Sequence, residues 1–325
     1  MPRSRPFAPA VAPLVVPPAG THGGDGPAVE AALGLAPGSL LDLSQNMNPV
    51  SPPVAPVVSR HLAALGHYPD DREATRVLAE ALGVDPGRVL LTNGGSEAIH
   101  LVTAVLGGRV REEPEFGLHP RGSEGPVWRT DPHSPTGRLA DPQERADVWD
   151  EAFYAVATGG WTALGTPARD RAVVVGSLTK TFSCPGLRLG YVVVPEGPVA
   201  ARDGSSLGPE ELRVRLLRAQ PHWPVSALAL AVLPDLLADA DLPGWAARIG
   251  QLRQDLVGVL ESAGLQVQAA DAPWVLVHEP GLRERLAPRG VLVRDCASFG
   301  LPDVFRMAVP GPSGLERVAT AVAQA

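Results

Sequence analysis

Lysine is almost missing from this chain. Of its 28 lysines and arginines 27 are arginine, which leaves Lys180 alone among 325 residues. Codon bias toward Ala, Arg, Gly and Pro accounts for the scarcity, because arginine replaces lysine wherever only positive charge is needed. It cannot replace it where a neutral amine must attack a carbonyl, since guanidinium keeps its proton. Cysteine is also scarce: Cys184 and Cys296 give no disulfide framework and fit a reducing cytoplasm. No apolar run reaches transmembrane length, so no membrane partner is expected. A net charge of −7 argues against nucleic-acid binding as the main activity. No metal is expected.

What is present points to two domains, since 325 residues exceed one small core. Residues 1–20 carry Pro2, Pro6, Pro9, Pro13, Pro17 and Pro18. These break an apolar helix and favour a flexible arm over a signal peptide. Residues 21–239 read as an N-terminal segment plus a large domain, and 240–325 as a small α+β domain. The pattern predicts a strand at 39–43, helices over 57–65 and 73–82, and a buried strand at 89–91. That strand runs into Asn93-Gly94-Gly95-Ser96-Glu97 and a helix over 98–106. Between 107 and 137 Gly, Pro and Arg are dense and no period holds. Strands at 172–175 and 187–194 bracket Lys180, and 209–237 is helical with breaks near Pro221 and Pro224. A long helix over 244–263 precedes strands at 267, 274–278, 291–293 and 305–309, and a last helix starts near 313. Strand, Gly-rich turn, helix is an α/β signature.

Lys180 ends the run Val173-Val174-Val175-Gly176-Ser177-Leu178-Thr179. An amine at the end of a buried strand is a Schiff-base candidate. Asn93-Gly94-Gly95-Ser96 would expose N–H groups at a helix N-terminus, a ready anion site. It lacks the P-loop lysine and the dinucleotide fingerprint, which disfavours ATP and NAD. The hydroxyls of Ser177 and Thr179 and the guanidinium of Arg188 could join it around a dianionic phosphate. Asp150 is either a buried ion partner or a carboxylate that holds a proton on a pyridine nitrogen.

Together with Tyr68-Pro69-Asp70, Pro135-Thr136-Gly137, Asp150-Glu151-Ala152-Phe153 and Arg306, these motifs run in one order over residues 20–320. In that order they resemble the pyridoxal-phosphate enzymes of fold type I, the class I and II aminotransferases. The resemblance implies an α/β, aspartate-aminotransferase-like fold. Its large domain holds a mixed, mostly parallel sheet, and a small C-terminal α+β domain follows. It also implies pyridoxal phosphate carried on Lys180, with Asp150 paired to the ring nitrogen. Gly95, Ser96, Ser177, Thr179 and Arg188 would bind its phosphate, and Phe116 would stack on its ring. Ser134 stands where the family places an Asn that donates to the 3-oxygen. Arg306 would clamp a substrate carboxylate. Tyr68 would reach the phosphate of a neighbouring subunit, in a homodimer with shared sites.

Two branches of that superfamily compete. His22-Gly23-Gly24-Asp25, Leu43-Ser44-Gln45-Asn46-Met47-Asn48-Pro49, Pro185-Gly186-Leu187-Arg188-Leu189-Gly190-Tyr191 and Val291-Leu292-Val293-Arg294-Asp295-Cys296 resemble threonine-phosphate decarboxylases of cobalamin biosynthesis. Those enzymes release 1-aminopropan-2-ol phosphate. Histidinol-phosphate aminotransferases share the general motifs and form the alternative. On the first resemblance His22, Gly23, Gly24, Asn48 and Arg294 would lie near a small phosphorylated amino acid. Ser226 also stands where Asn is common. The intervals from Gly95 to Gly137 and from Gly137 to Asp150 are shorter than the family layout, which implies that one or two strands and a helix are trimmed. A degenerate, non-enzymatic cofactor-binding protein is the further alternative. Retention of Lys180, Asp150, Arg188 and Arg306 together argues against it.

Overall fold

The computed structural model describes residues 15–166 and 169–325. Residues 1–14 of the expected arm therefore lie outside the described residues. The following stretch is anchored, with the Pro17 carbonyl accepting from the buried Arg283 guanidinium at 2.6 Å.

Helix α1 (Gly26–Leu33) and strand β1 (Leu41–Asp42) open the chain, followed by α2 (Ala55–Arg60) and α3 (Arg72–Leu82). The single helix expected over 57–65 breaks at His61 and continues as a 3-10 turn, Leu62–Gly66. Gly83, at φ 69°, stops α3 in the left-handed conformation that glycine adopts without cost. Then come β2 (Val89–Asn93), α4 (Gly94–Leu106), β3 (Arg109–Val110), β4 (Val127–Thr130), β5 (Val148–Asp150) and α5 (Tyr154–Thr158). The lysine region is β6 (Val173–Ser177), α6 (Leu178–Thr181) and β7 (Leu189–Val193). A small hairpin, β8 (Val199–Ala200) and β9 (Ser206–Leu207), leads to α7 (Pro209–Ala219) and α8 (Ala227–Ala238). Ser226 caps α8, its hydroxyl accepting from Ala229 N–H at 3.2 Å.

Six strands form the main sheet in the order β2-β7-β6-β5-β4-β3. β7 runs antiparallel to β2 and β6, and the other pairs are parallel. Val173, Val174 and Val175 are all buried, as a strand covered on both faces requires. One face, with Leu90, Val175 and Val192, packs on α4 and α7 through Ile99, Val102 and Leu212. The other, with Leu91, Val174 and Val193, packs on α3 and α8 through Leu78 and Leu233.

Parallel strands are usually joined by helical crossovers. Here the described residues between α4 and α5 form no helix, so β3, β4 and β5 are linked by irregular segments over 111–126 and 131–147. The sequence reading expected one or two strands and a helix to be trimmed; in this interval the described residues form three short strands, β3 of only two residues, and no helix. In their place an ionic layer covers the sheet. Arg129, Trp149 and Val174 are register neighbours on one face. The Arg169 guanidinium lies 3.3 Å from the Trp149 ring centroid. It pairs with Asp131 and, at 3.0 Å, with Glu151. Arg129 pairs with Glu144 at 2.7 Å. Burial pushes the carboxyls of Asp131 and Glu151 up, and Arg169 opposes that push.

The C-terminal part begins with α9 (Leu242–Ser262), β10 (Gln266–Ala269), β11 (Trp274–His278) and α10 (Leu282–Leu286). It ends with β12 (Val291–Leu292), β13 (Arg294–Asp295), β14 (Val304–Ala308) and α11 (Pro312–Ala323). An antiparallel sheet, β10-β11-β14-β13, packs on α9 and α11 through Leu256, Leu260 and Val318. The N-terminal segment joins this part, because β1 pairs in parallel with β12. Among the described residues no helix is long and apolar enough to cross a membrane.

The ionic layer makes a prediction. Replacing Arg169 by Met leaves Asp131 and Glu151 buried without their cation, and should cost about 3–5 kcal/mol in urea unfolding. A loss below about 1 kcal/mol would show that the layer contributes little.

Candidate active site

A cavity of about 360 Å³ opens at the C-terminal ends of β5 and β6, where the N-terminal segment and the C-terminal sheet meet the main sheet. In open α/β sheets ligands bind at this edge of the strands.

One end of the cavity suits an anion. Strand β2 passes directly into α4, whose first turn lines the cavity with Gly95 and Ser96 and leaves its N–H groups without helical partners. Gly190 on β7 touches this turn: a Cβ there would fall 2.3 Å from the Gly94 carbonyl carbon and 2.6 Å from the Gly95 nitrogen. Gly94 has φ 74°, and a Cβ on it would meet the Arg188 guanidinium at 2.4 Å. Ser177 Oγ and Thr179 Oγ1 lie 2.7 Å apart, both buried. Arg188 takes φ 56° and reaches only long bonds, 3.3 Å to Pro185 O and 3.4 Å to Asn93 O, so its charge remains available.

Lys180 stands in the centre, in the single turn of α6. Burial, then the charges of Arg306, Arg188 and Arg294, bring its amine from 10.5 down to about 8. Its backbone is held from behind: Asn48 N–H donates to Lys180 O at 3.1 Å and Asn48 Nδ2 to Thr181 O at 2.9 Å. Asn48, expected at the substrate, is therefore a backbone latch and does not line the cavity. Asn46, two residues earlier, does line it. With its amide oxygen turned to Arg306, it accepts from Nη2 at 3.1 Å and Nε at 3.0 Å.

Asp150 ends β5 at the floor. Its Oδ1 accepts from Ala152 N–H at 3.0 Å, and its Oδ2 lies 3.0 Å from His119 Nε2. His119 is fully buried, and its Nδ1 has no partner. The sequence reading missed it, because it sits in the stretch without period, 31 residues from Asp150.

Phe116 lines the cavity, with the His22 ring centroid 6.0 Å away. Ser134 is buried beside it and accepts from Arg306 Nη1 at 3.4 Å. Arg306, on β14, is buried 5.0 Å over the Trp274 ring, and burial followed by Arg294 lowers its pKa. Arg294, on β13, donates to Thr21 O at 2.9 Å, while its Nε is buried without a partner. Burial and then Arg294 lower the His22 pKa. Gly23 lines the cavity so closely against Ser44 that a Cβ would fall 2.1 Å from its carbonyl oxygen. Gly24 stands behind it, donating to Ser44 Oγ at 2.9 Å. Tyr68 lies outside the cavity on the surface, 78% exposed and stacked 4.7 Å from Trp223.

These residues fit pyridoxal phosphate. The helix terminus, two hydroxyls and Arg188 match a dianion, and Asp150 matches a protonated ring nitrogen. An amine of lowered pKa stands between them, and Arg294 lines the remaining space. Among the described residues no His/Cys/Asp/Glu cluster could hold a metal.

Comparison with known proteins gives the family and the fold. The sequence model of the family "Aminotransferase class I and II" matches residues 119–322. A histidinol-phosphate aminotransferase of Halorubrum lacusprofundi is 29% identical over 333 aligned residues, covering 84% of this chain and 85% of that protein. Among solved structures, the histidinol-phosphate aminotransferase of Clostridium acetobutylicum superposes with a TM-score of 0.73 at 19% identity, over 87% of this chain and 98% of that one. The L-threonine-O-3-phosphate decarboxylase of Porphyromonas gingivalis gives 0.65 at 20% identity, over 83% and 94%. The fold is aspartate-aminotransferase-like. The chain belongs to the class I and II aminotransferases, a family of pyridoxal-phosphate-dependent enzymes.

Proposed function

We propose that this enzyme acts on a small phosphorylated amine by transamination, in the manner of histidinol-phosphate aminotransferases. The observation that carries the reading is the single lysine, buried with a lowered pKa between an anion cradle, a carboxylate and two buried arginines. The names of the similar proteins support this branch over the decarboxylase favoured by the motifs alone.

Pyridoxal phosphate, when bound, supplies the carbonyl and the electron-withdrawing ring that weaken bonds at the amine-bearing carbon. The other roles belong to the chain. The first turn of α4, Ser177, Thr179 and Arg188 hold the phosphate, and Phe116 covers the ring. Asp150, oriented by Ala152 N–H and His119, holds a proton at the ring nitrogen. Lys180 Nζ would be the base that takes the proton from the substrate carbon. Arg306, braced by Asn46 and Ser134, binds the carboxylate of the amino-acid partner. Arg294 and His22 face the remaining space and suit a phosphate there.

Decarboxylation of threonine phosphate is the second reading. The observation in its favour is the His22-Gly23-Gly24 loop, pinned to Arg294 through Thr21 O at 2.9 Å on the cavity wall. There Arg306 would bind the substrate carboxylate, and Lys180 would return a proton to the carbon after carbon dioxide leaves.

We also infer a homodimer. Tyr68, Trp223, Leu62 and Leu65 are exposed large apolar side chains, and Tyr68 stacks on Trp223. Such an aromatic surface suits burial against a second copy. The buried free cysteines support a cytoplasmic setting.

Histidinol phosphate with 2-oxoglutarate should yield glutamate, and threonine phosphate should release no aminopropanol phosphate. The reverse result would replace the first reading by the second; turnover of neither pair would sink both. The lowered amine gives a further expectation. Only neutral Lys180 attacks a carbonyl, so capture of added pyridoxal phosphate should speed up as pH rises through about 8. Arg306→Gln removes a positive neighbour, raises the amine pKa and should move the midpoint to higher pH. A wild-type midpoint near the ordinary 10.5 would contradict the burial argument.

A further inference from the structure

We propose that Glu115 is the positioning residue of this site, its carboxylate aligning Phe116, Ser134 and Arg306 through one chain of hydrogen bonds. The proposal rests on the pyridoxal-phosphate reading above. Glu115 is 2% exposed and stands one residue before the ring-stacking Phe116. Its Oε1 accepts from Phe116 N–H at 2.9 Å and from the Thr130 hydroxyl at 2.5 Å. Its Oε2 accepts from Thr130 N–H at 3.1 Å. Thr130 Oγ1 in turn accepts from Ser134 N–H at 2.7 Å, and Ser134 Oγ accepts from Arg306 Nη1 at 3.4 Å. A buried carboxylate with three donors is held in one geometry.

The helix-free crossover explains why the site needs such a group. The segment over 111–126 has no helix to set the position of Phe116. Arg121 curls it on itself, donating to the carbonyls of Glu115, Phe116 and His119 at 3.0, 2.8 and 2.6 Å. None of those bonds ties it to the sheet. Glu115 does, because Thr130 is the last residue of β4. His133 Nε2 stands 4.0 Å from Oε2 and adds a polar neighbour on the far side. The ring cover, the serine at the 3-oxygen position and the carboxylate clamp thus share one anchor.

The test compares the wild-type holoenzyme with Glu115→Gln and Thr130→Val. Glutamine keeps the shape but turns a donor toward N–H groups that need an acceptor. Valine removes the hydroxyl that leads to Ser134, and with it one of the three donors to Glu115, but keeps those of Phe116 N–H and Thr130 N–H. Three quantities are read: the visible circular dichroism of bound cofactor, which reports ring orientation, KM against kcat, and the melting temperature. Glu115→Gln should at least halve the dichroism and raise KM for the amino-acid substrate roughly tenfold. Thr130→Val should raise KM by a similar factor of about ten while leaving the dichroism near wild type. Wild-type KM in Thr130→Val overturns the proposal, even where Glu115→Gln does not fold. Wild-type dichroism in a folded Glu115→Gln overturns it too. Absence of any cofactor dichroism in the wild type would instead sink the functional reading, and the proposal with it.

Discussion

Lys180, Arg188, Arg294 and Arg306 crowd one cavity that contains a single carboxylate, Asp150. Like charges in a low-dielectric space repel, and that repulsion together with burial lowers the amine of Lys180 and acts on Arg306 in the same direction. The imbalance would be relieved by ligands that bring negative charge, as the proposed function supplies: a phosphate at the helix terminus, a carboxylate at Arg306, and a second anion near Arg294. Burial and then this crowding bring the amine to about 8, so that a neutral fraction is present near physiological pH, which arginine could never supply.

The fold serves this arrangement with little material. Neighbouring strands β5 and β6 lead Asp150 and, in the turn after β6, Lys180 into one cavity, and the contact of Gly190 with the first turn of α4 brings Gly95 and Ser96 there too. On the flank, where crossover helices would cover the sheet, Arg129 and Arg169 lie over Trp149 and are balanced by Glu144, Asp131 and Glu151. Ion pairs buried in this way give direction more readily than net stability. Direction is what irregular segments carrying Phe116, His119 and Ser134 require.

Much of this was legible in the sequence, and the parts that were not share a cause. Strong local signals read correctly: the valine run before Lys180, the glycines after β2, the amphipathic period of α9. Strand β4 was missed because four residues among glycines and prolines show no period. Its neighbour β3, two residues long, is too short to show one either. The polar groups that tune the site, His119, Asn46 and Glu115, act across sequence gaps in segments where no spacing rule applies. Asn46 and Asn48 show the limit well. They sit two residues apart in one motif, yet one braces Arg306 and the other latches the backbone of Lys180. Motif similarity also pointed toward the decarboxylase branch, whereas the similar proteins carry mostly the aminotransferase name.

The central claim is that the lone lysine carries the cofactor. Borohydride reduction of the pyridoxal-phosphate-loaded protein, followed by peptide mapping, tests it most directly. The account predicts one stable pyridoxyl label per chain, on the peptide that contains Lys180. Cofactor that stays exchangeable after reduction, or a label found on any other peptide, would contradict it.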